Sequence, residues 1–292
     1  MNQSARRMSY VFLCTLPFLL LIVGGVRALR IPGVYQSIGV VLFAAILTAA
    51  WILGARMISS RAAQERSVAL AGTLFVVPWA LISLLWVGIG APFQATPPEN
   101  YMRFLVLLAN SIVVASGFVA LKEVLSEAGE RFYSTLGFAT GLTAGTAYLA
   151  CISLSLGVSA ARLHSGQAPD VGAVLSDFYS ILEFVACVLT YLATAAFAVA
   201  LGQARWLGQG AARAYAVASL LLLLLVVMRG VSYPEISANT SPWYTQPGVI
   251  AGIPAIPWII PCLLGVVLLR RAGDEQRVVE AGNNPPFGAA QT

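Results

Sequence analysis

Residues 178–202 read "FYSILEFVACVLTYLATAAFAVALG", and Glu183 is the only charged side chain in this run. About 20 apolar residues are enough for one helix to cross a hydrocarbon core of roughly 30 Å. The whole chain has the same character, because 59% of its 292 residues are hydrophobic, 10% are charged and the mean hydropathy is +0.82. Soluble domains carry about 25% charged residues. The sequence therefore predicts an integral membrane protein.

Eight apolar runs of this kind recur along the chain and predict an all-α, polytopic helical bundle. We number them as spans one to eight; they lie at residues 9–29, 37–56, 68–90, 103–121, 134–157, 178–202, 211–231 and 248–269. The bundle occupies residues 1–271, and the polar residues 272–292 are expected to form a disordered cytoplasmic tail. Span one has a basic start and also fits a secretory signal peptide, but its length favours a retained helix.

The distribution of lysine and arginine predicts the orientation of the chain. Segments assigned to the cytoplasm hold 12 of the 17 basic residues, and outer segments hold 5. Because cytoplasmic loops carry the excess of basic residues, both termini are expected in the cytoplasm of a cell whose plasma or bacterial inner membrane holds the protein. The lipid bilayer is then its expected partner. The basic residues are spread over the helix ends rather than clustered on one face, so nucleic-acid binding is not expected.

Three glycines lie four residues apart in span five, where residues 137–157 read "GFATGLTAGTAYLACISLSLG". On a helix Gly137, Gly141 and Gly145 share one face, which allows a neighbouring backbone to approach closely. This pattern predicts close packing inside the bundle. A dimer interface through span five and a pore-lining strip are the alternatives.

Glu183 is the one acidic side chain placed within a span. Thr190 and Thr194 follow it on the same helical face, with Tyr191 beside them. An ionised group in hydrocarbon costs several kcal/mol, so Glu183 is expected to face the bundle interior, a partner or water. The predicted partner is Arg229 near the outer end of span seven. A structural ion pair, an interfacial contact and a lipid-headgroup contact are the alternatives to a functional site.

Span eight contains "GIPAIPWIIP" at residues 252–261, with prolines at 254, 257 and 261. Each proline removes a donor from the helix, and a carbonyl freed in this way cannot face lipid. The stretch therefore predicts a proline-kinked last helix. One possibility is that the carbonyls freed by Pro254 and Pro257 line a polar cavity. The alternative is a kink that only shapes the packing of the helix.

Asn110 adds a buried amide near the middle of span four, where it either joins two helices or contacts a solute. Together with Glu183, Arg229 and the prolines it predicts a polar cavity among spans four to eight. The predicted function is a channel or transporter for a small solute or ion. The alternative is a non-transporting accessory subunit, sensor or scaffold protein.

Several classes of function lack their characteristic residues. His164 is the only histidine and lies in an outer loop, and Lys122 is the only lysine and lies at a cytoplasmic helix end. These positions argue against a bis-histidine haem and a retinal Schiff base. The four cysteines form no C-x-x-C pair, and no P-loop, H-E-x-x-H or G-x-S-x-G motif occurs. Catalytic residues, a metal and a cofactor are therefore not expected.

Overall fold

The computed structural model describes residues 3–25, 34–89, 95–166, 172–230 and 255–283, and these residues contain no β-strand. Their long helices are α1 (Gln3–Gly25), α2 (Val34–Leu53), α3 (Ala63–Ser83), α4 (Pro97–Glu127), α5 (Phe132–Ser165), α6 (Gly172–Gln203), α7 (Gln209–Arg229) and α8 (Ile259–Asn283). A 3-10 turn, Ala55–Ser59, joins α2 to α3, and a π-helical segment, Leu84–Ile89, extends α3. A second 3-10 turn, Ile256–Trp258, leads into α8.

Within the described residues, the seven helices α2 to α8 are long and apolar enough to cross a membrane. Their outer faces carry large exposed apolar side chains; on α7 these include Val217, Leu221, Leu224 and Met228. Such a continuous apolar surface is normal against lipid and unusual against water. The chain is therefore an all-helical bundle with the character of a multi-pass membrane protein. The crossing of α1 as an eighth span stays a prediction.

The helices pack in an order that puts α8 inside the bundle. α5 packs between α4 and α6, and α7 packs against α6. α3 connects α4 to α8, and α8 also contacts α1, α2 and α6. Among the seven apolar helices α8 is the most buried and α7 the least.

The first and last helices meet at one end of the bundle. Arg6 Nη1 lies 2.9 Å from Asp274 Oδ1, and Arg6 Nη2 donates a hydrogen bond to the Leu53 carbonyl at 3.3 Å. The guanidinium of Arg271 lies 4.5 Å from the centre of the Trp206 ring, which adds the turn between α6 and α7 to the same end. We call this the inner end. The opposite end, where α4 begins and α5 ends, is the outer end.

The helices α1 to α7 all begin earlier than the predicted spans, and the difference is six residues for α1, α4 and α6. α4 begins at Pro97 rather than near residue 103, because Thr96 and Glu99 form a capping box in which the Thr96 N–H donates to Glu99 Oε2 at 2.7 Å. α6 begins at Gly172 rather than near residue 178. Arg103 and Glu183 consequently lie further inside their helices than the predicted spans imply.

The prolines of the last span lie at the start of its helix. Pro257 is in the 3-10 turn and Pro261 is in the first turn of α8. Missing N–H groups cost little there, since the first turn has no intrahelical acceptors for them. Pro254 lies outside the described residues, so the proline kink stays a prediction.

The end of α8 enters the predicted tail. The helix continues to Asn283 and so includes the first residues of 272–292. Residues 284–292 lie outside the described residues, and the order of the tail stays a prediction.

One close approach of two helix backbones involves a glycine pair that the sequence pattern does not reveal. A Cβ atom on Gly72 of α3 would lie 2.8 Å from the Gly265 carbonyl oxygen of α8, and one on Gly265 would lie 2.9 Å from the Gly72 oxygen. Each helix contributes one glycine, so no spacing within either helix marks the contact. This contact holds α8 tightly against α3.

Candidate functional site

A cavity of about 220 Å³ lies in the outer half of the bundle. Its walls come from α3, α4, α5, α6 and the turn before α8. The predicted cavity was assigned to spans four to eight; the structure adds α3 to the walls, and no residue of α7 lines them. The polar part of the lining lies on α4, α5 and α6.

The α6 wall carries Glu183, whose exposed fraction is only 3%. Tyr179 lies one turn further out on the same wall, and its carbonyl accepts a hydrogen bond from Cys151 Sγ at 3.8 Å. One turn inward of Glu183, Cys187 Sγ lies 3.4 Å from the Tyr148 hydroxyl. These two contacts join α5 to α6 one turn outward and one turn inward of Glu183.

The α4 wall carries Arg103 and Asn110, which lie seven residues apart and therefore on one helical face. Their exposed fractions are 1% and 7%. Asn110 Nδ2 donates to the Pro78 carbonyl of α3 at 3.5 Å. Asn110 Oδ1 is buried and has no hydrogen-bond partner among the described residues. This wall thus carries the Arg103 guanidinium near its outer part and the Asn110 Oδ1 acceptor further inward.

The turn before α8 completes the cavity with Trp258. Its ring centre lies 4.9 Å from that of Tyr148, with an angle of 49° between the ring planes. Trp79 Nε1 donates to the Trp258 carbonyl at 3.3 Å, which ties the turn to α3. Pro257 is buried beside Trp258. The proline-rich stretch therefore places an aromatic ring on the cavity.

Arg103 is the basic residue of the lining and Glu183 the acidic one. Arg229, the predicted partner of Glu183, does not line the cavity. Cys187 lies within electrostatic range of both Glu183 and Arg229, so Arg229 is in the neighbourhood, and its pairing with Glu183 stays a prediction. The predicted span four begins at residue 103, which puts Arg103 at the membrane boundary. The capping box at Thr96 was the signal that could have placed it inside α4.

The other predicted pathway residues lie inward of the cavity and do not line it. Thr194 Oγ1 donates to Ser219 Oγ of α7 at 3.1 Å, and Thr190 Oγ1 donates to the Ala186 carbonyl at 2.7 Å. Tyr191 is buried in the same contact between α6 and α7. Their part in a solute pathway stays a prediction.

The three glycines of α5 face its neighbours within the bundle. A Cβ atom added to Gly137 would lie 2.8 Å from the Phe197 ring, and one on Gly141 would lie 3.0 Å from the Phe118 ring. Gly145 leaves more room, with Ala115 Cβ at 3.5 Å. The described structure thus fills this strip with side chains of α4 and α6. An oligomer through α5 stays a prediction.

Inward of the cavity, three rings form what we call the phenylalanine cluster. Phe118 of α4 stacks on Phe197 of α6 with 5.6 Å between ring centres, and Phe75 of α3 meets Phe118 edge-on at 5.1 Å. Phe118 lies one turn inward of Val114, which lines the cavity. The cluster therefore closes the space between α4 and α6 on the inner side.

Among the described residues, no three His, Cys, Asp or Glu side chains lie close enough together to hold a metal ion. The chain matches no protein-family model, and comparisons with curated proteins and with solved structures find no similar chain. Functional interpretation therefore depends on the cavity itself.

Proposed function

We propose that this protein is a channel or transporter that takes a small solute or ion into the cavity in the outer half of the bundle. The observation that carries the proposal is the burial of Glu183 and Arg103 on the walls of one cavity. Ionisable side chains inside a membrane are costly, and they commonly mark a substrate or ion pathway. Scattered structural ion pairs would not require an internal space between them.

The phenylalanine cluster gives the proposal a mechanism. The cavity reaches Asn110 near the middle of α4, and the stacked rings of Phe118 and Phe197 lie inward of it. A solute in the cavity could pass to the inner side only if α4 and α6 separate at these rings. The proposed transport cycle therefore alternates between this arrangement and one in which the rings part.

The same closure favours a second candidate, a sensor that binds a solute without moving it. In that case the rings of the phenylalanine cluster never separate. Solute binding in the cavity instead changes the packing of α4 against α6. The two candidates share the binding site and differ in whether solute crosses the membrane.

Uptake by the purified protein in liposomes separates the candidates. Labelled solutes of several classes (an amino acid, a polyol, a carboxylate, an amine and a monovalent cation) are compared with empty liposomes. We expect faster uptake of at least one class, and we expect Glu183→Gln to abolish that uptake. The matched control is Glu130→Gln, since Glu130 is also buried but caps the start of α5 at the inner end. Binding without uptake of any class would replace the transporter with the sensor.

We also propose eight spans with both termini in the cytoplasm. The contact of Arg6 with Asp274 supports this topology, because seven crossings by α2 to α8 place both chain ends on one side only if α1 crosses too. The excess of basic residues at the inner end supports a cytoplasmic location for it in a plasma or bacterial inner membrane. Reporter fusions after residue 292 and near Gly166 should lie on opposite sides; a shared side would contradict this topology.

A further inference from the structure

Most of the cavity lining is apolar. Helices α3, α4 and α5 contribute aliphatic side chains to it, which include Ile82, Leu85, Leu107, Val114 and Ile152. Polar surface placed against such side chains loses its hydrogen bonds to water and gains none in return. A ligand that fills this space is therefore itself mainly apolar.

Several hydroxyl and thiol groups of the lining are already bonded within the protein. Ser111 Oγ donates to the Leu107 carbonyl at 3.0 Å, and Ser155 Oγ donates to the Cys151 carbonyl at 3.1 Å. The Tyr148 hydroxyl and the Cys151 thiol both bond to α6, at 3.4 and 3.8 Å. These groups therefore place little demand on a ligand for further hydrogen bonds.

Arg103 and Glu183 also interact with other groups of the chain, so neither needs a ligand as its partner. The Glu183 carboxyl lies within electrostatic range of Tyr179 and Cys187 on its own helix. A charged ligand would have to give up its hydration in a mainly apolar space, and an uncharged ligand avoids that cost. The lining thus favours an uncharged ligand.

Asn110 on α4 differs from these residues. Its Nδ2 donates to the Pro78 carbonyl at 3.5 Å, and because a carbonyl only accepts, this contact identifies which amide atom is the nitrogen. Asn110 Oδ1 is buried and has no hydrogen-bond partner among the described residues. Since a buried acceptor without a donor is costly, a ligand gains affinity if it brings one N–H or O–H group to this oxygen.

Aromatic rings form part of the lining, among them those of Phe104, Tyr148 and Trp258. Tyr148 and Trp258 already meet in a tilted arrangement, with 4.9 Å between ring centres and 49° between ring planes. Aromatic rings attract one another in tilted and offset arrangements beyond what their buried area provides. A ring in the ligand would extend this contact, whereas an aliphatic ligand of the same size would gain burial alone.

The volume limits the ligand to one or two rings. An apolar protein cavity of about 150 Å³ is enough to hold benzene. The cavity here has about 220 Å³, which leaves room for a single ring with a polar substituent or for two fused rings. It is smaller than the ~300 Å³ at which sites for drug-sized ligands begin.

We infer that the cavity binds a small uncharged aromatic molecule with one hydrogen-bond donor, of the class of phenol or indole, and that this donor bonds to Asn110 Oδ1. The inference rests on the proposed function in one respect, because it names the class of the solute that binds in the same cavity. The transporter and the sensor share that binding site. The inference therefore does not depend on whether the solute crosses the membrane.

The test is calorimetric titration of the full-length purified protein in detergent. Each probe is also titrated into protein-free micelles and that heat is subtracted, because apolar probes enter micelles. Phenol is compared with anisole, and indole with 1-methylindole, since the methyl group removes the donor and keeps the ring. We expect phenol and indole to bind about tenfold more tightly than their methylated partners, which corresponds to one hydrogen bond. Equal affinities within both pairs would overturn the inference.

Two further comparisons test the charge and the ring. Benzoate and protonated benzylamine should bind about tenfold or more weakly than benzyl alcohol, because each must leave its hydration behind. Benzyl alcohol should in turn bind more tightly than cyclohexylmethanol, which carries the same hydroxyl group on a saturated ring. Tighter binding of either charged probe would overturn the uncharged class, and equal affinity for the two alcohols would overturn the aromatic one.

Two variants with matched controls locate the bound ring. Leu107→Trp fills the cavity from α4 and should weaken phenol and indole binding about tenfold or more. Leu105→Trp adds the same ring on the same helix where the side chain is 42% exposed, and it should leave binding unchanged. Asn110→Leu should reduce the affinity for phenol to that for anisole. Asn100→Leu changes the same residue type on α4 outside the lining and should keep the preference for phenol.

The outcomes separate this inference from the proposed function. Failure of both phenol and indole to bind would overturn the inference, even where the liposomes take up a solute of another class. Donor-dependent binding of the ring probes without uptake of any class would sustain the inference and replace the transporter with the sensor. Equal loss of binding in Leu107→Trp and Leu105→Trp would overturn the cavity as the site. If a variant fails to fold, the probe pairs on the unmodified chain still decide.

Discussion

The outer and inner halves of α4 and α6 use the space between these helices in opposite ways. In the outer half a cavity separates them, with Arg103 on one wall and Glu183 on the other. In the inner half Phe118 stacks directly on Phe197. The difference follows from the side chains, because rings pack without hydrogen-bond partners whereas buried charges need a polar environment.

α5 accommodates both halves because its face changes along its length. Gly137 and Gly141 leave room for the rings of Phe197 and Phe118 in the inner half. In the outer half the same helix contributes Tyr148, Cys151 and other lining residues. One helix thus packs against the phenylalanine cluster at one level and lines the cavity at the next. The comparison teaches that Gly137 and Gly141 make room for the phenylalanine cluster and not for the cavity.

Removing the central ring of the phenylalanine cluster should have the largest effect on stability. Phe118→Ala deletes both ring contacts and leaves a void, so we expect a loss of stability of about 3–5 kcal/mol. It should also let the solute of the cavity leak inward through liposomes that hold the variant. Thermal unfolding in detergent and passive flux measure the two effects. Phe132→Ala is the control, since Phe132 is 72% exposed. Similar stability losses and similar leakage in both variants would contradict a closing role for Phe118.

Adding a side chain beside the phenylalanine cluster should have the next largest effect on stability. Gly141→Leu places a branched chain against the Phe118 ring, where even a Cβ atom would lie at 3.0 Å. We expect destabilisation of about 1–3 kcal/mol, seen as a lower melting temperature in detergent. Gly157→Leu changes the same helix where no atom lies within 4 Å of an added Cβ, and it should leave the melting temperature nearly unchanged. Equal shifts in both variants would contradict the packing of this strip.

The inner end extends the tightly packed region to Arg6 of α1 and Asp274 of α8, and the ion pair between them can be tested from either side. Arg6→Gln removes the ion pair and the bond to the Leu53 carbonyl, so we expect a loss of about 1.5–3 kcal/mol. Asp274→Asn should cost less than about 1 kcal/mol, because the Asp274 side chain is 55% exposed. Unfolding at low and high salt measures both. A larger loss for Asp274→Asn would show that the ion pair, and not the carbonyl bond, holds the helices.

Removing the hydrogen bond between α6 and α7 should have the smallest effect on stability. Thr194→Val removes the bond to Ser219 and keeps the shape of the side chain. Hydrogen bonds between membrane helices contribute roughly 0.6 kcal/mol on average. We therefore expect little change in melting temperature and no change in solute uptake. Loss of uptake with a normal melting temperature would instead place Thr194 on the pathway and extend the polar region into the inner half.

Several features follow from the sequence by itself. Long apolar runs predict membrane-crossing helices, since a backbone in lipid must satisfy its own hydrogen bonds. The sequence also predicts the burial of Glu183 and Asn110, because a polar group that faces lipid has no hydrogen-bond partner there. Helix boundaries were less certain: the capping box of α4 was present in the sequence, but hydropathy alone began the span too late.

Only the tertiary structure decided which side chains line the same cavity. Arg103, Tyr148, Glu183 and Trp258 come from four different helices or turns, and hydropathy gives no register between helices. Interhelical contacts set that register, as Gly141 against Phe118 and Gly72 against Gly265 do here. The apolar runs determine that helices form and cross, because that depends on local composition. The partner of a buried charge depends on rotation and depth, which side-chain packing across the whole bundle determines.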